Sequence, residues 1–286
     1  MIDLHIHTIH SSDGQYRPDE ILEMAKRAGL DALAFADHMD IRGASRGMAL
    51  ASEYNIEFFS GLEVSTSFDR KEYHLLLYGF DPESVPVRNF LSRHCSVIWQ
   101  QAFKLIEYFR GMGFDLTEGD ITPWGKSVPT GVTFLDALKK RNSKDPRLHE
   151  YLYGNKAHSP YLSFYQGFSL SEFGAIMTSA LPPLQHAISV LKPSGVLILA
   201  HPGTIERETL ELLKGIGLDG IEAYSTHHSP ETTQRLLGMA RSLDLLVSAG
   251  SDFHGERIKP DIPFAGVPGQ PDPALMRRLR ENPHAG

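Results

Sequence analysis

Short apolar runs alternate with stretches of helical period at both ends of this chain. The runs cover residues 2–6, 32–36, 56–59 leading to Glu63, 73–78, 196–200, 220–224 and 245–249. Apolar runs of this length, separated by helical segments, read as the strands of βα units in a parallel sheet or barrel. Between the first two runs Pro18 takes a first helical position, Ile21, Leu22, Ala25 and Ala28 share one face, and Gly29 ends the segment. Ser229-Pro230 opens a second helix, with Leu236, Leu237 and Ala240 in its stripe, just before the last run. Residues 88–171 break the rhythm, with a helical pattern over 97–112 followed by a polar and aromatic stretch without clear strands. Gly111, Gly113, Gly119, Gly125, Pro123 and Pro129 punctuate it as loops and short helices. Tyr151, Tyr153, Tyr161, Phe164, Tyr165 and Phe168 lie near its end, suited to the small core of a helical lobe. The expected organisation is a barrel from 1–87 and 172–286 with 88–171 inserted.

Composition narrows the class. A chain of 286 residues with 41% hydrophobic and 22% charged positions can bury a sizeable core, which excludes a disordered, collagenous or coiled-coil protein. The formal net charge of −7, with no long basic run, argues against duplex nucleic acid as a partner. Cys95 is the single cysteine, so neither an internal disulfide nor a thiolate zinc site is expected; a reducing, cytoplasmic location is. No apolar run approaches the roughly 18 to 20 residues that span a bilayer, and Met1-Ile2-Asp3-Leu4-His5 lacks the basic-then-apolar order of a signal peptide. No membrane partner is expected, and oligomeric state cannot be read from the pattern. Histidine stands out, with 14 residues against 28 Lys+Arg, and an imidazole surplus of that size asks for metal or acid/base chemistry.

The metal-capable residues cluster at strand edges. His5 and His7 are two apart on the first strand, so both side chains leave the same face. Asp13 follows in Ser11-Ser12-Asp13-Gly14, the second strand ends in Asp37-His38, the third in Gly61-Leu62-Glu63, and the fourth begins Tyr73-His74. The fifth ends Ala200-His201-Pro202-Gly203 and the seventh Ser251-Asp252-Phe253-His254. In a closed α/β barrel such ends converge on one rim. The imidazoles of His5, His7, His38, His74, His201 and His254 and the carboxylates of Asp13, Glu63 and Asp252 suit Zn²⁺, Mn²⁺ or Fe²⁺. They exceed what one ion needs, so two or three divalent ions sharing a bridging carboxylate are expected.

In order and wording this series resembles the motifs of the PHP family, the polymerase and histidinol phosphatase superfamily. The resemblance covers about residues 1 to 85 and 190 to 256. It implies a distorted (β/α)₇ barrel carrying an inserted, mainly helical lobe over the active site, a trinuclear metal centre and phosphoesterase activity. It further implies that His5, His7, Glu63 and Asp252 hold one ion, that Glu63 bridges to a second held by His74 and His201, and that Asp13, His38 and His254 hold the third. Ser12-Asp13-Gly14 and the inserted lobe are similar to the branch of 3′,5′-nucleoside bisphosphate phosphatases and 5′-3′ exoribonucleases. One departure bears on substrate: that branch offers an Arg-x-His pair ahead of a lobe helix, whereas this chain reads Thr130-Gly131-Val132-Thr133 before Phe134-Leu135.

The expected reaction is hydrolysis of a phosphate monoester, foremost of a nucleotide or nucleoside bisphosphate, with a hydroxide bridging two ions as nucleophile. A histidinol-phosphate-type or other small-molecule phosphatase, a phosphodiesterase of short oligonucleotides, and a metal-binding module without catalysis are the alternatives. Asp252, Glu63 and His228 are the expected catalytic residues. His228 precedes a helix start and is placed to contact substrate or move the leaving group's proton, with Lys156, Lys126 and Arg17 as further phosphate contacts. Arg42 is a weaker candidate of the same kind. Asp37 and Asp40 flank His38 and are candidates to orient imidazoles. His10, His94, His149, His158, His186, His227 and His284 are read as surface or lobe residues without partners.

Overall fold

A computed structural model describes residues 1–121, 128–169 and 172–282 of the chain. Its strands are β1 (Ile2–Ile6), β2 (Ala32–Phe35), β3 (Glu57–Phe68), β4 (Lys71–Tyr78), β5 (Val196–Leu199), β6 (Gly220–Ser225) and β7 (Leu246–Gly250). Helices α1 (Pro18–Ala28) and α2 (Arg42–Tyr54) connect the first three strands, and α3 (Val85–Gly111) leads away from β4. Then come α4 (Glu118–Ile121), α5 (Gly131–Arg141), α6 (His149–Leu152), α7 (Pro160–Ser169) and α8 (Glu172–Thr178). The chain returns through α9 (Leu184–Leu191), α10 (Arg207–Ile216), α11 (Pro230–Ser242) and α12 (Pro273–Arg280). No helix among the described residues is long and apolar enough to cross a membrane.

The local signals act where they are written. Gly29 caps α1 in the left-handed conformation, φ 70°, and Glu20 reaches back to the Arg17 N–H. Ser229 caps α11 by accepting from Thr232 N at 3.2 Å.

The sheet runs in the order β1-β2-β3-β4-β5-β6-β7. β1–β2–β3 and β5–β6–β7 are parallel, as the βα rhythm predicts, but β4 is antiparallel to both neighbours. It is the return arm of a hairpin whose turn residues Asp69 and Arg70 both have positive φ, 49° and 60°, the signature of a two-residue primed turn. Reversal brings the first half of β4, with His74 as its fourth residue, to the rim formed by the ends of the other strands. The barrel closes where the chain after β7 meets β1: Asp252 N donates to His5 O at 2.8 Å and His7 N to Phe253 O at 2.9 Å. Gly250 permits that approach, since a methyl group there would lie 2.2 Å from His5 Cβ.

Leu4, Ala34, Phe59, Leu76, Tyr78 and Ile198 fill the barrel, plugged from below by Leu275, Met276 and Leu279 of α12. α1 and α2 cover β1–β3 from outside, and α3, α9, α10 and α11 contribute to the core outside β3–β6. β1 changes face on the way: Leu4 belongs to the interior cluster and Ile6 to the outer one, although they are two apart, because the ladder with β2 slips between Asp3 and Ile6. That bulge turns His5 and His7 inward at the rim.

The middle of the chain builds a second core on Phe109, Phe134, Leu138, Phe164 and Phe173, which Ile258 from the segment after β7 joins. The change of core falls inside α3, whose first half packs Val87, Phe90 and Ile98 against the barrel and whose second half packs Leu105 and Phe109 into the lobe. Phe173 of α8 extends the lobe's core beyond residue 171. Lys126 and His284 lie outside the described residues, as do the side chains of Tyr165 and Phe168.

Candidate metal centre

The ladders that build the barrel set the predicted ligands side by side. His38 bridges to Glu63 in parallel register, Met39 N donates to Glu63 O at 2.8 Å, and Ala200 N donates to His74 O at 2.9 Å. Gly14 lets the Asp13 loop lie against the end of β1, since a Cβ there would sit 1.8 Å from Thr8 O. Met39, His201 and Asp252 take left-handed backbone conformations, φ 53°, 29° and 56°.

The structure brings all nine predicted ligands together. Glu63, with no exposed surface, stands at the centre. Its Oε2 lies 3.2 Å from His5 Nε2, 3.1 Å from His7 Nε2 and 3.1 Å from His38 Nδ1. Its Oε1 lies 2.8 Å from His74 Nδ1 and 3.3 Å from His201 Nε2. Asp252 Oδ1 closes the first side, 3.5 Å from His5 Nε2 and 3.2 Å from His7 Nε2. Asp13 faces His38 Nε2 at 3.6 Å and His254 Nε2 at 3.8 Å, and His7 joins that group.

Donor chemistry fits divalent ions. His5 Nε2 and His7 Nε2 stand 3.2 Å apart, close to the edge of about 3.3 Å that metal–nitrogen bonds of about 2.0–2.1 Å span at a tetrahedral angle. The buried oxygens Glu63 Oε2 and Asp13 Oδ1 accept no hydrogen bond among the described residues, so each has a lone pair to give to a cation.

Neighbours hold these rings in the tautomer that ligation requires. His5 Nδ1 donates to Glu222 Oε1 at 3.0 Å, leaving Nε2 toward the cluster, and Glu222 Oε2 accepts from His201 N at 2.9 Å. His7 Nδ1 donates to Ser11 Oγ at 3.0 Å, Ser11 Oγ donates to Asp37 Oδ1 at 3.0 Å, and His254 Nδ1 donates to Asp252 O at 2.8 Å. Asp37 therefore acts on His7 through a serine. Asp40 instead pairs with Arg42.

Sequence reasoning missed Glu222, Ser11, Lys259 and His227. Glu222 had a signal, a carboxylate inside the apolar run Gly220-Ile221-Glu222-Ala223, but the motif series drew attention away from it. His227 is exposed, as expected of a surface residue, but it was assigned no partner and has one: its Nε2 lies 2.5 Å from Asp252 Oδ2. Nothing in its local sequence reveals this, because the contact crosses from the β6 turn to the loop after β7. His158 likewise has a partner, Asp261 at 3.0 Å.

The expected substrate contacts fall out unevenly. His228 Nδ1 donates to Ala223 O at 3.0 Å, and its buried Nε2 has no hydrogen-bond partner among the described residues. Arg17 is engaged by Asp19 and Glu20 at the start of α1. Lys156 is exposed on the lobe and lies over the Tyr151 ring, 4.9 Å from its centroid. Thr130 caps α5, and Ser12 Oγ donates to its hydroxyl at 2.8 Å, so the lobe touches the rim beside Asp13. Arg257 adds a second tie, donating to Tyr161 Oη at 2.6 Å and pairing with Asp136 at 3.2 Å.

Charge in this cluster is strongly redistributed. Burial would lower His7, but the carboxylates of Asp252 and Glu63 outweigh it and raise the ring to about 9. Burial opposes His74 as well, and Glu63 and Glu72 raise it to about 10. His38 goes the other way, to about 4, because burial exceeds what Glu63 and Asp13 restore. Burial acts to raise Glu63 and Asp252, yet the cations and rings around them hold both well below the usual carboxylate range. At pH 7 the metal-free protein thus carries protons on His7 and His74 that a metal must displace. Divalent-ion uptake is expected to release protons, and apparent affinity to rise with pH up to about 9 to 10. Calorimetry in buffers of differing ionisation enthalpy measures the release; uptake without it would mean the rings are already neutral.

Residues 3–111 match the PHP domain. The match spans β1 to α3, hence His5, His7, Asp13, His38, Glu63 and His74; His201, Asp252 and His254 lie beyond it and join the same cluster in space. Two relatives extend over both halves of the barrel. A 5′-3′ exoribonuclease of Haemophilus influenzae is 26% identical over 88% of this chain and 89% of its own length. A 3′,5′-nucleoside bisphosphate phosphatase of Chromobacterium violaceum is 26% identical over 88% of this chain and 87% of its own. The fold as a whole is similar to that of a C. violaceum amidohydrolase solved with bound sulfate, with a TM-score of 0.80, 22% identity, and 98% and 96% of the two chains covered.

Proposed function

We propose that this protein is a metal-dependent phosphoesterase that hydrolyses a phosphate monoester, foremost of a nucleotide or nucleoside bisphosphate. The observation that carries the reading is Glu63, whose two oxygens face opposite halves of a nine-ligand rim. Similarity to the bisphosphate phosphatase over most of the chain supports the substrate class.

His5, His7, Glu63 and Asp252 would hold one ion, Glu63, His74 and His201 a second, and Asp13, His38 and His254 a third, with Mn²⁺, Zn²⁺ or Fe²⁺ suited to these donors. Bound ions would supply Lewis acidity toward the phosphoryl group and activation of water at neutral pH. Glu222, Ser11 and Asp37 keep His5 and His7 oriented. His228 is fixed through Nδ1 and offers Nε2 as the site that takes or gives a proton at the leaving oxygen. Lys156, Lys126 and Arg17 are assigned to the substrate's outer charges, for which Arg17 would have to leave Asp19.

A second reading, a phosphodiesterase acting on short oligonucleotides, is favoured by the similarity to the exoribonuclease. Phosphate release from mononucleotides, nucleoside bisphosphates and histidinol phosphate, and nucleotide release from short RNA, measured after Mn²⁺ reconstitution, separate the readings. Turnover of the nucleotide monoesters is expected, together with its loss in Asp252→Ala; turnover of histidinol phosphate alone, or an unaffected Asp252→Ala, would sink the proposal.

A further inference from the structure

Asp252 shows its two oxygens to different surroundings. Oδ1 faces the rings of His5, His7 and His254 at 3.2 to 3.5 Å. Oδ2 faces Lys259 Nζ and His227 Nε2, both at 2.5 Å. Lys259 is delivered there by the turn after His254, in which Gly255 has φ 97° and its carbonyl accepts from Lys259 N at 2.9 Å. The side chain is only 18% exposed.

An ammonium has three protons to donate, and Asp252 Oδ2, already shared with His227, is the one acceptor that Lys259 Nζ has among the described residues. A mostly desolvated cation with unused donors is costly unless a further acceptor arrives. Its position makes the need sharper. Once divalent ions draw on Asp252, the charge that neutralised Lys259 is committed elsewhere, and a fixed cation is left beside other cations. An incoming anion with several acceptor oxygens answers both deficits.

We propose that Lys259 is a phosphate-binding residue of this site: its ammonium takes a phosphoryl oxygen of the substrate while His227 holds Asp252 Oδ2. The assignment rests on the phosphoesterase reading and deepens it. A terminal phosphate carries close to two negative charges and a diester one, so an added cation favours monoesters. It also answers the lobe's departure, since Thr130–Thr133 are committed to capping α5 and Thr130 to Ser12, and supply no cation.

The test uses the manganese-loaded protein and its Lys259→Met and Lys259→Arg variants. Inorganic phosphate binding is measured by calorimetry, bound manganese by elemental analysis, and kcat/KM with p-nitrophenyl phosphate and bis-p-nitrophenyl phosphate. Lys259→Met should keep its manganese and lose about 10- to 100-fold in phosphate affinity and in monoester kcat/KM, the range for one charge-assisted hydrogen bond. Its diester kcat/KM should move by less than about 3-fold, and Lys259→Arg should recover most of the loss because it keeps the charge. Unchanged phosphate affinity overturns the proposal. So does loss of manganese, which would make Lys259 a support for Asp252, or an equal fall for both esters. Should the unaltered protein hydrolyse neither ester, the phosphoesterase reading fails, while the phosphate-binding comparison still decides Lys259.

Discussion

Glu63→Gln is expected to lower phosphoester hydrolysis by about 10³-fold or more, with the variant still folded and short of at least one divalent ion per chain. A catalytic ion contributes several kcal/mol to the transition state, and each 1.36 kcal/mol is a factor of ten. Glu63 is the side chain in contact with both halves of the rim, with Oε2 toward His5, His7 and His38 and Oε1 toward His74 and His201. An amide of the same shape keeps one acceptor and replaces the other oxygen by a donor. It also removes the negative charge that raises His74. Metal content by elemental analysis and kcat/KM on the best ester of the panel decide the matter. A Glu63→Gln protein with full metal content and unchanged kcat/KM would remove Glu63 from the centre.

Asp37→Ala is expected to cost the metal-free protein about 3 kcal/mol or more of folding stability, since each buried donor left unsatisfied costs about 1–3 kcal/mol. The carboxylate has no exposed surface. It accepts from Thr8 N at 2.7 Å, Thr8 Oγ1 at 2.8 Å, Ser11 Oγ at 3.0 Å and Ser11 N at 3.3 Å. The first turn of α2 closes over it so tightly that a Cβ on Gly43 would lie 1.8 Å from Asp37 Oδ2. Because Ser11 Oγ also accepts from His7 Nδ1, metal affinity should weaken by roughly 10- to 100-fold, as for other partners that orient a ligand. Urea denaturation of the stripped protein measures the first effect and manganese titration the second. A variant as stable as the parent, with unaltered manganese affinity, would contradict the relay from Asp37 to His7.

Much of the barrel was legible along the chain. All seven strands fall where apolar runs stand, because a buried strand must be apolar over a few residues and bounded by turns. Pro18, Gly29 and Ser229-Pro230 mark helix ends because cap geometry is a local matter of φ and of unpaired N–H groups. The direction of β4 was not legible, since a run such as Lys71–Tyr78 has the same composition whether it runs parallel or antiparallel. That the lobe's core takes in Phe173 was not legible either, because helical stripes do not say which neighbour they face.

The clustered His, Asp and Glu residues of the rim were legible for a different reason: such side chains are conspicuous in and beside strands whose other residues are mostly apolar. Their supports were less so. Glu222 sits alone in an apolar strand, Ser11 is an ordinary loop serine, Lys259 owes its place to the turn that follows His254, and His227 to a contact between separate loops.

The sequence by itself determined the candidate donor types, the spacing that pairs His5 with His7 and Asp252 with His254, the strand positions and the capped helices. All of these follow from short-range periodicity and backbone chemistry. Tertiary structure alone decided which way the His5–His7 face points, through a bulge between Asp3 and Ile6, and that Glu63 stands between two halves of the rim. It also decided that Lys259 and His227 share one oxygen of Asp252. Those outcomes depend on how strands and loops pack against one another in the closed barrel, from seven positions apart for Lys259 and Asp252 to 138 for Glu63 and His201, and no local pattern encodes that.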